Sequence, residues 1–404
     1  VPHHSWTRRA RHAGARTLLL TALALPASAP VAPALAQTPQ PQPQQPPRPA
    51  DAAPGSGQAP TGLPTGARPI PRGVLGGVPM TAADSGVQRL VGRLDFESYK
   101  GLIKGLTQFG DREQGTERNA RANDWIEAKL REWGYETARI QYNYTPRGGG
   151  APQPREEVYA TKVGASVPGE MYIVGAHMDG RGGGEAANDD ASGTALVMEI
   201  ARVLAASDVT TARSVRFALW NNEETGLEGA RAYVEQRAPL QGREEPRGSR
   251  RYPEPKWLGM IQHDMMLWDH GNPVGFGQVL DADVDIEYQL NSAQAEASGR
   301  LALQLLNANR TFATDYPAVV SNAMSNTDSG PFQDLIPAVS LRENRRLYET
   351  GRGANPHWHR PTDLYVNFTD ADFRLGFNAM QTTLGAVARL AEARVGDGQQ
   401  ARQP

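Results

Sequence analysis

Residues 172–193, reading YIVGAHMDGRGGGEAANDDASG, constrain this chain more than any other stretch. The apolar part is short enough for one buried strand and ends on His177. A glycine-rich loop follows, then the pair Asp189 and Asp190, then a helical pattern over 192–206 with Leu196, Ile200, Val203 and Leu204 on one face. Strand, polar loop and helix in that order put titratable side chains at the carboxyl edge of a sheet, where α/β proteins hold their ligands.

The rest of the chain repeats the alternation. Strands are expected over 135–144, 157–163, 171–176, 214–220, 257–264, 318–321 and 338–341, with Val215, Phe217 and Leu219 alternating in the fourth. Helices are expected over 85–109, 116–133, 285–306 and 369–393. In the last, Thr369 and Asp372 have the spacing of a capping pair, and Phe373, Phe377, Met380, Leu384 and Val387 form one apolar stripe. Strands separated by helices imply crossover connections, hence an α/β fold: a mixed, mostly parallel sheet sandwiched between helices in a single domain. Residues 238–255 are a charged, proline-rich insertion expected to reshape the rim of the cleft.

The N-terminal region reads differently. Arg8, Arg9, Arg11 and Arg16 precede an apolar run over 17–25, and small residues lead to Ala34, Leu35 and Ala36, an A-x-A cleavage pattern. The run is too short, and too soon followed by Pro26, Pro30 and Pro33, for the ~20 residues of a membrane span. Residues 1–36 are therefore expected to be a signal peptide, giving a secreted or periplasmic protein with no stable membrane span after cleavage. Residues 37–84 read as a disordered Pro/Gln-rich linker, 85–395 as the compact domain and 396–404 as a disordered tail. A net charge of −2 carries no basic footprint for nucleic acid. With no cysteine in the chain, any bound metal must be held by His, Asp or Glu.

Candidate ligands recur at strand ends. His177 closes one strand with Asp179 two residues on, Glu223 and Glu224 lie just beyond SVRFALW, Asp264 follows WLGMIQH, and His359 lies in HWHRPTD. So many acids and imidazoles on one sheet edge would repel strongly unless a cation neutralised them.

At these positions the chain resembles the di-zinc exopeptidases of clan MH, the family of secreted leucyl aminopeptidases, glutamate carboxypeptidase and glutaminyl cyclase. The resemblance covers roughly residues 90–390. The H-x-D element is matched by His177 and Asp179, N-D-D-x-S-G by residues 188–193, and the tandem Glu by Glu223 and Glu224. D-M is matched by Asp264 and Met265, and H-x-P-x-D by residues 359–363; S-D-x-x-P-F is approximated by residues 327–332. The resemblance implies a zinc-exopeptidase-like fold and a metallopeptidase, in particular an aminopeptidase acting on the N-terminus of a peptide or protein.

It further implies two Zn²⁺ per chain. Asp189 would bridge them, His177 and Asp264 would complete one set, and Glu224 and His359 the other. Three carboxylates against two Zn²⁺ leave a centre of about +1, suited to a developing oxyanion. Glu223 would be the general base, Asp179 would orient His177, and the peptide bond between Asp189 and Asp190 would be cis. Where several relatives carry a Tyr before the last His ligand, this chain has Trp358. Glutaminyl cyclase chemistry with one zinc, and a non-catalytic binding ectodomain on the same scaffold, stay open as alternatives.

Other residues have plainer readings. His263 and His270 are expected to be structural or exposed, and His357 competes with His359 as ligand, which Pro361 and Asp363 favour. Ser192 lacks the frame of a nucleophile elbow and is expected to cap the following helix. Gly148–Gly150 and Gly182–Gly184 lack a following Lys-Ser/Thr pair and read as flexible loops.

Overall fold

The computed structural model describes residues 81–269, 284–322, 324, 327–343 and 355–396. The expected signal peptide, nearly all of the linker, His270 and the tail beyond Gly396 lie outside the described residues.

The first expected helix is two. α1 (Ala82–Val91) is opened by a capping box between Thr81 and Asp84 and closes at Gly92. α2 (Phe96–Thr107) starts afresh because the Asp95 side chain accepts from the Ser98 backbone N–H at 2.6 Å. The compact part thus begins a few residues before 85. α3 (Glu117–Glu132), capped by Thr116, leads into the hairpin of β1 (Thr137–Tyr144) and β2 (Gln153–Lys162).

The central unit follows: β3 (Val167–His177), α4 (Ala191–Leu204), a two-residue β4 (Val209–Thr210), β5 (Arg213–Trp220), α5 (Glu228–Arg237) and β6 (Lys256–His263). The C-terminal part adds β7 (Val284–Glu287), α6 (Ala295–Phe312), β8 (Ala318–Ser321), β9 (Ala338–Arg342), α7 (Asp370–Leu390) and a short β10 (Arg394–Val395) paired with β4.

Eight strands form one sheet in the order β1-β2-β5-β3-β6-β9-β7-β8. The four central strands β5, β3, β6 and β9 are mutually parallel, while β1, β2 and the β7/β9 pairing are antiparallel. This is the mixed, mostly parallel sheet read from the alternation of elements. One expectation fails: 285–306 is not one helix but β7 followed by α6. A four-residue strand offers too few turns of alternation for its period to be distinguished from the helix beyond it.

Two cores cover the two faces, as the period of two along a strand requires. Val174, Ala176, Val215, Phe217 and Leu219 pack with α4, α6 and α7, whereas Met171, Ile173, Ala218 and Trp220 pack on the other side with α5. On that second face Trp220, Tyr233, Trp257 and Phe332 form an aromatic cluster with centroids 5.2–5.7 Å apart for the pairs of Trp220 with Tyr233 and Phe332. Each such side chain, fully buried, contributes on the order of 1.5–3 kcal/mol.

Residues 238–255 do not reach the carboxyl edge of the sheet. Arg250 donates to the Ser166 carbonyl at 2.7 Å, Tyr252 packs against Gly169, and Glu254 pairs with buried Arg216 at 2.9 Å. Ser166 and Gly169 lie where β3 begins, so the insertion sits at the end of the sheet opposite His177 and does not form the rim expected of it.

Candidate metal centre

Three neighbouring parallel strands end side by side. In register, His177 on β3 stands opposite Trp220 on β5, and Ala176 stands opposite His263 on β6. Glu223 and Glu224 leave β5, and Asp264 leaves β6, at the same edge as His177. Asp189 arrives from the loop before α4, and His359 from the loop before α7.

These residues form two overlapping sets. One donor atom from each of His177, Asp189 and Asp264 lies within 4.8 Å of the others, and the same holds for Asp189, Glu224 and His359. Asp189 belongs to both: its Oδ1 is 3.3 Å from His177 Nε2 and its Oδ2 is 3.1 Å from His359 Nε2. Asp264 Oδ1 is 3.7 Å from His177 Nε2, and Glu224 Oε2 is 2.9 Å from His359 Nε2. Carboxylate oxygens and imidazole nitrogens without a thiolate suit a divalent cation such as Zn²⁺. Buried Glu224 Oε1 has no hydrogen bond among the described residues, a donor atom held in reserve.

The electrostatics have one direction. Burial, reinforced by Asp328, Asp264 and Glu224, pushes the Glu223 carboxyl well above the usual range against the pull of His177. Burial and then Asp189 push Glu224 up to about 7. Burial opposes a charged imidazole at His177, yet Glu223 and the neighbouring aspartates raise it well above its ordinary value. His359 is raised to about 9, burial being outweighed by Asp189 and Glu224. Acids held too close to share one medium draw in positive charge, and the bare protein can offer only protons.

The surrounding backbone fixes each donor. His177 Nδ1–H donates to the Asp179 carbonyl at 3.0 Å, which leaves Nε2 as the free ring nitrogen facing the acids. The Asp179 carboxylate, expected to orient His177, stands 3.8 Å from that ring; it instead accepts from the backbone N–H groups of Glu223 and Glu224 at 3.1 and 3.4 Å. Asp363 accepts from the N–H groups of Asn188 and Asp189 at 2.9 and 3.1 Å. The Asp189–Asp190 peptide bond is cis. Asn222, beside Glu223, Met265, beside Asp264, and His359 have φ of 64°, 61° and 53°. For residues with a Cβ such backbone costs about 1–3 kcal/mol, a burden that gathers where side chains are aimed for use.

Several expectations change in detail. Asp190, not Ser192, caps α4, accepting from the Gly193 N–H at 2.9 Å. Ser192 donates to the Asn188 carbonyl at 2.7 Å and accepts from the Met266 N–H, stitching the two loops together. Gly182 and Gly184 are not loose: a Cβ on Gly182, whose φ is +102°, would lie 2.5 Å from the His359 carbonyl carbon, so glycine here lets the His359 segment seat against the loop. His263 is a buried core histidine between the Gly175 carbonyl and Thr383 Oγ1 at 3.1 and 2.8 Å. His357 packs edge-on against Trp268 and Phe368 and joins neither donor set. Trp358 lies 45% exposed with its ring over His359, centroids 4.4 Å apart.

Two supports had no role assigned from the sequence. Arg112, wholly buried, donates to the carbonyls of Met178, Gly110, Glu185 and Ala186 at 2.8–2.9 Å and so braces the loop between His177 and Asp189. Glu343 accepts from Asn188 Nδ2 at 2.7 Å and from the Trp268 N–H at 2.6 Å, tying that loop to the one after Asp264.

Comparison with known proteins adds lineage. The model of peptidase family M28 matches residues 157–381. A "Probable zinc metalloprotease" of Leptosphaeria maculans is 30% identical over 175 residues, 38% of this chain and 40% of that protein. An "Aminopeptidase" of Pseudomonas aeruginosa strain UCBPP-PA14 is 42% identical over 72 residues, 18% of this chain and 13% of that protein. The chain thus spans well under half the length of these relatives. Among solved structures, the LapA aminopeptidase of Legionella pneumophila superposes with a TM-score of 0.56 at 18% identity, covering 78% of this chain and 76% of that one, a likeness of fold.

Proposed function

Because the chain belongs to peptidase family M28, we propose that it is a zinc-dependent metallopeptidase, and specifically an aminopeptidase that releases N-terminal residues from peptides. The observation that carries this reading is Asp189, whose two oxygens face two histidines, each accompanied by a further carboxylate. His177, Asp189 and Asp264 would hold one Zn²⁺, and Asp189, Glu224 and His359 a second; the presence of two complete sets supports two ions over one. The relatives named as a zinc metalloprotease and an aminopeptidase agree with this chemistry.

Bound divalent cations supply polarisation of a carbonyl and a lowered pKa for water. The chain's own part is acid–base chemistry and aim. Glu223 accepts the proton of the attacking water and delivers it to the leaving amine, a role suited to a buried carboxyl whose pKa lies above its usual range. Asp179 holds the Glu223–Glu224 turn through its two backbone bonds, and its carbonyl fixes the tautomer of His177.

The charges favour a substrate ammonium over a carboxylate. Buried Asp328 has an oxygen without a hydrogen bond among the described residues and lies within the electrostatic field of Glu223 and the donors. Arg342, a largely enclosed cation beside the donors, is engaged by Asp264 at 2.6 Å. Aminoacyl p-nitroanilides should therefore turn over and their N-blocked counterparts should not, with activity lost to a chelator and two zinc ions per chain by elemental analysis. Equal turnover of blocked substrates would remove the aminopeptidase assignment, and one zinc per chain at saturation would favour the cyclase alternative. We also propose export, on the basic, apolar and small-residue pattern of residues 1–36. N-terminal sequencing of protein from the periplasm or medium should begin after Ala36; retention of the full segment in the cytoplasm would refute it.

A further inference from the structure

Arg342 closes β9, the strand paired in parallel with β6, and Leu341 lies opposite His263. The register therefore delivers Arg342 beside Asp264, the next residue on β6. Its Nη1 is 2.6 Å from Asp264 Oδ2, and its Nη2 is 3.5 Å from Met265 Sδ. Both partners are largely enclosed, with side chains 11% and 5% exposed, so solvent screens the pair little.

The two oxygens of Asp264 are thereby divided. Oδ1 faces His177 at 3.7 Å, while Oδ2 is held by the guanidinium. The corresponding acid of the other set is unencumbered: Glu224 turns Oε2 toward His359 at 2.9 Å, and its Oε1 is buried without a hydrogen bond among the described residues. One set thus offers a carboxylate with both oxygens available, and the other a carboxylate with one oxygen and a fixed positive charge behind it.

We propose that Arg342 is a positioning residue that makes the two cation positions unequal, restricting Asp264 to one coordinating oxygen so that the Glu224–His359 position fills first and the His177–Asp264 position is the weaker. This rests on the two-ion reading above. At limiting zinc the protein holds a single ion, and occupancy of the second position governs how much of it is competent.

The test is a calorimetric titration of metal-free protein with Zn²⁺, which reads binding without reference to turnover. Wild type should show two events separated by at least about tenfold in Kd. Arg342→Met should tighten the weaker event by about ten- to a hundredfold, the effect of removing one poorly screened charge, and leave the tighter one within about threefold. Arg342→Lys, which keeps a cation there, should retain the separation. Arg342→Leu, neutral and unable to donate to Asp264, gives the same reading if the Met variant fails to fold. Two events with an unchanged separation in the neutral variants, or a shift confined to the tighter event, would overturn the role of Arg342 alone. A single event of one ion per chain in wild type would instead remove the two-ion reading itself, whereas a single event of two ions would overturn the inequality of the positions.

Discussion

Replacing Glu223 with Gln is expected to lower kcat for an aminoacyl p-nitroanilide by about 10²–10⁴-fold, the usual contribution of one general acid–base group, while the zinc content of the protein is unchanged. Gln keeps the shape and the neighbours but cannot take a proton. The residue is 9% exposed, and the turn that carries it is pinned by the bond from its own N–H to Asp179 Oδ1 at 3.1 Å. Neither of these depends on the carboxyl's charge, so the variant should fold. It belongs to neither donor set, so the ions should remain. Steady-state kinetics paired with elemental analysis separates the outcomes: kcat within tenfold of wild type at full zinc would show that another group moves the proton, and lost zinc would show that Glu223 is a ligand.

Removing the cations should cost stability as well as activity. The acids of the two sets are closely packed, and in the bare protein their repulsion is relieved only by taking up protons, as the raised Glu224 and His359 values indicate. An ion that binds the folded but not the unfolded chain contributes about 2.7 kcal/mol per site at a hundred times its Kd. For a domain of this size that corresponds to a melting midpoint lower by about 4 °C for each site emptied. A thermal melt with and without chelator, followed by restoration with Zn²⁺, measures it. A midpoint that does not move although metal analysis shows the protein empty would mean that the sets are not cation sites.

Much of this organisation was legible because the decisive signals are local. The strand ending at His177, the loop and α4 occur in one uninterrupted stretch, and Glu223, Glu224 and Asp264 each follow an apolar strand directly, so a parallel sheet necessarily brings them to one edge. The Thr369–Asp372 box marks the start of α7 in the same way. Other features were hidden for physical reasons. α5 buries Gly229, Ala230 and Ala232 around a single Tyr233, so it has no stripe of large apolar groups to reveal it. Arg112 acts through four carbonyls, groups every residue possesses, and nothing in its neighbours' identity announces the contact. Which oxygen of Asp264 faces Arg342 depends on register between β6 and β9, strands far apart in the chain.

The placement of residues 238–255 has a practical corollary. This charged, proline-rich excursion hangs from the foot of β3, a sheet's length from the donors, and contributes none of them. It is therefore a natural handle: a matrix, a label or a fused domain attached there would stand at the opposite end of the sheet from the donors and leave them unobstructed.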